Sequence, residues 1–279
     1  MTAIDEAVNT AAEWIQDANA LVITAGAGMG VDSGLPDFRG SEGLWEAYPP
    51  LAKLGLDFSV MANPRWFQHD PRLAWGFYGH RLELYREHKP HLGYRILHDW
   101  CASREHAVFT SNVDGHFAAA GFDPERICEV HGSIHHFQCT RPCCSAIWRA
   151  DHYRPQIDPE TLNESGVLPR CGACDALARP NILMFGDANW VSDRSHEQEQ
   201  RHERWLHRMH RRQLVVIECG AGTAVPTVRM DGEWIAREHQ ARLIRINLRD
   251  TQVGDGELAL PMGAKDALQA IDEAMMRFF

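Results

Sequence analysis

Four cysteines in two close pairs carry the strongest chemical signal: Cys139 and Cys143 in a C-x-x-x-C, Cys171 and Cys174 in a C-x-x-C. Four thiolates satisfy a tetrahedral zinc ion, and a centre closed by four sulfurs leaves no position open for catalysis. The zinc implied is therefore structural, clamping a stretch too small for a core of its own. Cys144 directly follows Cys143, so the second ligand is open between them, with Cys143 favoured as the nearer spacing. Four ordinary thiols are the competing reading. A disulfide framework is not expected, because the N-terminus lacks the basic start and apolar middle of a secretion signal.

Three further clusters have chemistry to offer. In "LVITAGAGMGVDSGLPDFRG" an apolar run feeds Gly26, Gly28 and Gly30, where small residues let backbone N–H groups approach a pyrophosphate. It is not the dehydrogenase fingerprint: the sixth position holds Val31, and no acidic residue closes a second strand about 20 positions on. A tight turn without ligand competes, but Asp37, Phe38 and Arg39 crowd into the loop that follows and favour a ligand. In "FTSNVDGHF", Ser111, Asn112, Asp114 and His116 follow a strand end, where a side-chain amide can read a carboxamide. Taken alone, an Asx turn explains them more simply. His131-Gly132 lies past another strand, and imidazole suits general-base work near neutral pH. A lone histidine is more often structural, and His135 and His136 read as packing or surface among sixteen histidines.

The elements that must position these residues alternate. Helical spacing runs over 3–18, with Thr2 and Asp5 placed to cap it. Buried strands are expected at Leu21–Thr24, Ala107–Thr110, Arg126–Val130, Leu214–Glu218 and Leu243–Asn247. Helices are expected from Asp70-Pro71 towards His88, and over His91–Cys101, Ser195–Arg212 and Ala264–Phe279. This alternation predicts an α/β fold with a doubly wound, mostly parallel, Rossmann-like sheet. Residues 1–134 and 179–279 form that nucleotide-binding domain, 135–178 an inserted small zinc-binding module, and about 40–90 a helical insertion. A chain of 279 residues with net charge −10 is not expected to bind nucleic acid over a broad surface. No apolar run approaches the roughly 18–20 residues of a membrane span, and a cytoplasmic location is expected.

In order along the chain these segments resemble the sirtuins, the NAD-dependent protein lysine deacylases. The pattern G-A-G-x-S-x-x-S-G-I-P-D-F-R is matched from Gly26 to Arg39, and T-Q-N-[IV]-D-x-L-H in part by Thr110–Phe117. His131-Gly132 matches the H-G pair and the four cysteines follow it. "RPNILMFGD" (Arg179–Asp187) is similar to R-P-x-V-V-x-F-G-E, and "GAGTAVP" (Gly220–Pro226) and "RIN" (Arg245–Asn247) to later cofactor segments.

The resemblance implies NAD as co-substrate, a structural zinc, and acylated protein lysines as partners. Ala25, Gly26 and Ala27 would lie near the phosphates and Asp37, Phe38 and Arg39 beside the cofactor. Ser111, Gly220, Gly222, Thr223 and Asn247 would complete its site. Asn112 and Asp114 would hold the nicotinamide carboxamide; with His131 they form the implied catalytic set. The acyl-lysine oxygen attacks the ribose carbon as nicotinamide departs, and His131 then acts as general base for a ribose hydroxyl. Phe185 and Gly186 would line the substrate peptide by strand addition. Tyr78 and Arg81, three apart on one helix face, match the Y-x-x-R pair of the desuccinylase branch, which implies acyl groups ending in carboxylate, succinyl or malonyl, beside acetyl. Four departures stand out: Ser111 for the usual glutamine, Gly30 for a serine, Gly115-His116-Phe117 for x-Leu-His, and a shortened "GAGTAVP". They keep open an ADP-ribosyltransferase or NAD glycohydrolase using the same cofactor site. A non-catalytic NAD sensor is a third reading, opposed by the presence of Asp114 and His131.

Overall fold

The first helix, Ala3–Asp17, opens on a reciprocal capping box between Thr2 and Asp5 and buries Val8, Ala11, Ala12 and Ile15. It leads into the first of nine strands found in a computed structural model that describes residues 2–36 and 41–277. These are β1 (Ala20–Ala25), β2 (Glu105–Thr110), β3 (Ile127–Glu129), β4 (Gly132–Cys139), β5 (Ile147–Arg149), β6 (Ala178–Ile182), β7 (Leu214–Cys219), β8 (Arg242–Ile246) and β9 (Leu258–Leu260). Six form one sheet in the order β3-β2-β1-β7-β8-β9, and every pairing in it is parallel. The expected Rossmann-like sheet is present.

All six residues of β1 and of β7 are buried, as central strands covered on both faces require. Alternate residues serve opposite layers. Leu21, Ile23 and Ala25 pack with the helices Ala3–Asp17, Leu92–Cys101 and Ala264–Arg277. Ala20 and Val22 pack with Trp205 and Leu206 of the helix Asp193–Arg208 and Ile235 of the helix Thr227–Glu238. Among the elements that the sequence pattern leaves unmarked are the helix Thr227–Glu238, with Asp231, Gly232 and Glu233 interrupting its apolar pattern, the antiparallel strands β4, β5 and β6, and the three-residue β9.

The chain runs β1 to β2 to β3 in one direction and later β7 to β8 to β9 in the other, so the order reverses between β1 and β7. Outside this sheet, β4 pairs antiparallel with β5 and β6. The antiparallel sheet begins at Gly132 and ends at Ile182, a little wider than the cysteine-bearing stretch.

The helical insertion supplies short helices at Ser41–Ala47, Pro49–Lys53, Phe58–Met61 and Trp66–His69, then the long helix Pro71–Glu87. Asp70 caps the last, accepting from Leu73 N–H at 3.1 Å. This insertion and the antiparallel sheet share one apolar core, including Leu44, Trp75 and Tyr78 with Phe137, Ala178 and Ile182. Trp75 Nε1 donates to the Ala178 carbonyl at 3.0 Å. A Cβ at Gly76 would fall 1.6 Å from the Leu162 carbonyl oxygen, so only glycine lets the helix lie against that loop. No helix among the described residues is long and apolar enough to cross a membrane.

Candidate active site

The two glycine turns meet where the strand order reverses. Gly26 N–H donates to the Cys219 carbonyl and Gly28 N–H to the Gly220 carbonyl, both at 3.0 Å. A Cβ on Gly26 would stand 2.8 Å from Ala221 Cα. One on Gly220 would stand 2.4 Å from Gly28 backbone, at a φ of +63° that itself favours glycine. Close approach therefore sets the turn that follows Ala25, with Gly26, Ala27 and Gly28, against Gly220 and Ala221, and half-buried Gly222 and exposed Thr223 come next along the chain. Open α/β sheets bind dinucleotides at this place, outside the C-terminal strand ends. Asn247 braces the second turn, donating Nδ2 to the Ala221 carbonyl at 2.7 Å and accepting from Arg249 and Asp250 N–H. Beneath it Arg245 and Glu218 form a buried ion pair at 2.5 Å.

The end of β2 is tied to the same turn. Ser111 N–H donates to the Ala25 carbonyl at 3.2 Å, and Asn112 Nδ2 to the Gly26 carbonyl at 3.0 Å. Asp114 is 7% exposed, and its Oδ1 accepts from His116 N–H at 2.9 Å. A Cβ on Gly30 would lie 3.1 Å from Leu35 Cδ1 and 3.6 Å from Asp114 Oδ2, so Leu35 packs closely where a serine side chain would start, beside this carboxylate. His135, expected as packing or surface, has a specific partner: its Nε2 meets the Asp114 carbonyl at 2.8 Å and so holds the loop. Asp37, Phe38 and Arg39 lie outside the described residues.

His131 stands between β3 and β4, half-buried. The preceding strand end is anchored by the helix Asp193–Arg208: Ser195 Oγ donates to the Glu129 carbonyl, Gln198 Oε1 accepts from Glu129 N–H, and Arg194 pairs with the Glu129 carboxylate. His131 Nε2 lies 3.5 Å from Thr227 Oγ1, a partner 96 positions away that no motif announces. Burial holds the imidazole below its usual pKa, so it is neutral near pH 7 and able to accept a proton. Gly132 has φ +81°, and a Cβ there would come 2.1 Å from the Asn181 carbonyl oxygen. Gly132→Ala is expected to cost about 2 kcal/mol or more, lowering Tm by roughly 4–8 °C in a thermal melt.

Past β6 the chain runs directly beside His131, with Leu183 N–H donating to the His131 carbonyl at 3.0 Å. Phe185 and Gly186 follow, both exposed. The turn is closed by Arg179 and Asp187, an ion pair whose side chains are 2% and 0% exposed. The loop before Trp66–His69 also engages it: Phe185 N–H donates to the Ala62 carbonyl at 2.9 Å and Asn63 Nδ2 to the Phe185 carbonyl at 3.0 Å.

The Phe185 ring meets Phe58 edge-on at 6.3 Å, and Arg81 Cζ lies 5.7 Å from the Phe58 ring. Arg81 and Tyr78 are both buried, with Cζ 5.8 Å from the Tyr78 ring. Burial pushes the Tyr78 phenol up to about 12, so it stays protonated. The guanidinium donates to Tyr85 Oη at 3.1 and 2.7 Å, a partner one helical turn on that the Tyr78–Arg81 spacing did not reveal.

The sulfurs of Cys139, Cys143, Cys171 and Cys174 lie within 4.8 Å of one another. Cys139–Cys174 and Cys143–Cys171 are 3.6 and 3.7 Å apart. A zinc tetrahedron with Zn–S bonds of about 2.3 Å has sulfur–sulfur edges of about 3.8 Å, so the four fit one ion. Backbone N–H groups of Ala173 and Cys174 point at the Cys171 sulfur and favour its thiolate, the form that a metal takes. Cys143 rather than Cys144 belongs to the set, although Cys144 Sγ stands only 3.7 Å from Cys143 Sγ.

A family model described as "Sir2 family" matches residues 26–206. An NAD-dependent protein deacylase of Aeropyrum pernix is 30% identical over 276 residues, covering 97% of this chain and 98% of that protein. One from Pyrococcus furiosus is 35% identical over 166 residues, 58% of this chain and 59% of that one. A crystal structure of a Sir2 homolog–NAD complex superposes with TM-score 0.72 at 23% identity, covering 97% of this chain and 94% of the other. With its fold, its glycine turns and its cysteine cluster in place, the chain belongs to the Sir2 family.

Proposed function

We propose that the chain is an NAD-dependent protein lysine deacylase, cleaving NAD to nicotinamide and moving the acyl group from lysine to ADP-ribose. The observation that carries this reading is a juxtaposition. The Leu183–His131 hydrogen bond sets His131 beside the segment leading to Phe185 and Gly186, while Asn112 ties the β2 loop to the glycine turn. The curated relatives, named as deacylases, support it. When bound, NAD supplies a ribose carbon that takes the acyl oxygen as nicotinamide leaves.

The chain's own residues then have distinct tasks. Gly26, Ala27, Gly220 and Gly222 offer backbone to the phosphates, with Ala25, Thr223 and Asn247 shaping the adjoining walls. Asn112 and Asp114 orient the carboxamide, Ser111 borders the ribose, and neutral His131 takes the proton of a ribose hydroxyl. Phe185 and Gly186 receive the peptide. We read residues 1–134 and 179–279 as the NAD-binding unit and 135–178 as the zinc module, working in the cytoplasm and without a nucleic-acid partner. The test is nicotinamide release measured with and without acyl-lysine peptide. Release that depends on peptide and yields acyl-ADP-ribose supports the deacylase; release indifferent to peptide supports the glycohydrolase.

Acyl preference follows from Arg81. The line Phe185–Phe58–Arg81 runs from the peptide segment to a guanidinium flanked by Tyr78 and Tyr85, a receiver for a carboxylate at the end of an acyl chain. A charge-assisted hydrogen bond is worth about 1.5–3 kcal/mol. Arg81→Met is therefore expected to lower kcat/KM for succinyl-lysine roughly ten- to a hundredfold more than for acetyl-lysine. Equal losses on both substrates would remove the acidic preference and leave the deacylase reading intact.

A further inference from the structure

His91 N-caps the helix Leu92–Cys101, although the side chains that cap best are short and end in oxygen. The imidazole at this place has a second task. It is buried, 8% exposed, and tilted against the Tyr94 ring at 4.9 Å. Gly93 N–H donates to its Nδ1 at 2.9 Å, so that nitrogen is the acceptor. The ring proton therefore sits on Nε2, which donates to the Met29 carbonyl at 2.9 Å. Burial holds the imidazole below its usual pKa, in the neutral form that this pairing requires.

Met29 belongs to the helical turn Gly28–Val31, which starts from the contact between Gly28 and Gly220. Carbonyls in the last turn of a helix have no intrahelical donor. One imidazole thus serves two helix ends, the N-terminus of Leu92–Cys101 and the carbonyl end of Gly28–Val31. Gly93 makes room for it, since a Cβ there would stand 2.6 Å from His91 Cε1.

The hold extends along the chain. His91 N–H donates to Ser33 Oγ at 3.0 Å, and Lys265 N–H to Asp32 Oδ2 at 2.8 Å. The His88 ring closes on Gly34, where a Cβ would lie 3.0 Å from His88 Cδ2. The linker from His88 to His91 therefore meets this segment at Met29, Ser33 and Gly34. The same segment joins the Gly28 turn to the loop carrying Asp37, Phe38 and Arg39.

We propose, on the NAD site proposed above, that His91 is a positioning residue for the cofactor. It fixes the segment between the phosphate turn and the Asp37–Arg39 loop before NAD arrives. A segment already ordered in the free chain lowers the entropy that binding must overcome. The ring itself makes no contact with NAD, because Gly93 and Met29 take both of its nitrogens.

His91→Asn separates the two tasks. The asparagine oxygen takes the place of Nδ1 and keeps the cap. Its amide nitrogen falls at the imidazole Cδ2 position, one bond short of Nε2, and so loses Met29. Wild type and variant are compared by calorimetric titration with NAD, without acylated peptide. Loss of this one hydrogen bond is expected to weaken NAD about three- to tenfold, with Tm within about 2 °C of wild type. Amide exchange in the NAD-free variant should speed up over residues 29–35 and stay unchanged in Leu92–Cys101. In turnover with acyl-lysine peptide, KM for NAD should rise by the same factor while kcat stays within about twofold, a split that general destabilisation does not produce. If the asparagine variant fails to fold, His91→Ser, another strong cap without a nitrogen, takes its place. A change in NAD affinity below threefold, or unchanged exchange over residues 29–35, would overturn the role and leave His91 a helix cap alone. A wild type that does not bind NAD would overturn the cofactor site itself, which an unchanged affinity in the variant would not.

Discussion

His131→Ala is expected to lower acyl transfer by about 10²–10⁴-fold, the usual worth of a positioned general base, while NAD affinity stays within twofold of wild type. The expectation rests on where the ring stands. Its backbone carbonyl is fixed by Leu183 N–H, its strand by Glu129 contacts, and its Nε2 faces Thr227 Oγ1. Nothing in that arrangement is needed to keep the Gly26 and Gly220 turns interlocked, so cofactor binding should survive the loss of the imidazole. The pH profile adds an independent readout. Burial lowers the pKa from its usual value of about 6.5, so the ring loses its proton at lower pH than a free imidazole. The acid limb of kcat/KM should therefore lie below pH 6.5 in the wild type and vanish in the variant. Unchanged turnover would show that His131 is not the general base. A parallel collapse of NAD affinity would make His131 a structural residue.

What the sequence made legible follows distance along the chain. Asp70-Pro71 announces its helix because a cap and an N1 proline act within one turn. The C-x-x-C and C-x-x-x-C pairs announce their cluster because each pair is local, and only the joining of the two pairs is tertiary. The His131–Thr227 and Phe58–Arg81 contacts are different: each depends on how separate elements dock, and neither residue type is diagnostic at its position. Arg81 shows this within a single helix. The Tyr78–Arg81 spacing is readable, yet the guanidinium donates to Tyr85, one turn further, a partner that spacing alone does not single out. The helix Thr227–Glu238 was hidden for a packing reason. A Cβ at Gly232 would meet Glu218 Oε2 at 3.2 Å and Thr24 Oγ1 at 3.4 Å, so the glycine that weakens the helical pattern is the residue that seats the helix on the sheet.

Cys171→Ser is expected to abolish zinc binding and, with it, activity, although the cluster touches neither NAD nor peptide in the proposed mechanism. Structural zinc contributes on the order of 10 kcal/mol to small metal-clamped folds, more than any single hydrogen bond in the antiparallel sheet. The connection to function runs through two strands. β4 begins at Gly132, next to His131, and ends at Cys139; β6 begins four residues after Cys174 and leads on to Phe185 and Gly186. Their pairing is interrupted between Ser133 and Phe137, so the cluster end clamps a register that the middle of the ladder holds weakly. Without the clamp, β6 is free to shift, and the segments carrying His131 and the peptide contacts separate together. The parallel sheet has its own core and should persist. Thermal melts should therefore show an early transition for the variant, with metal analysis giving less than a tenth of the wild-type zinc. Cys143→Ser should be milder, because Cys144 Sγ stands 3.7 Å from Cys143 Sγ and can move into the vacated corner. Equal loss in the two variants would show that Cys144 cannot substitute, and full activity in zinc-free Cys171→Ser would show that the β4–β6 register holds without metal.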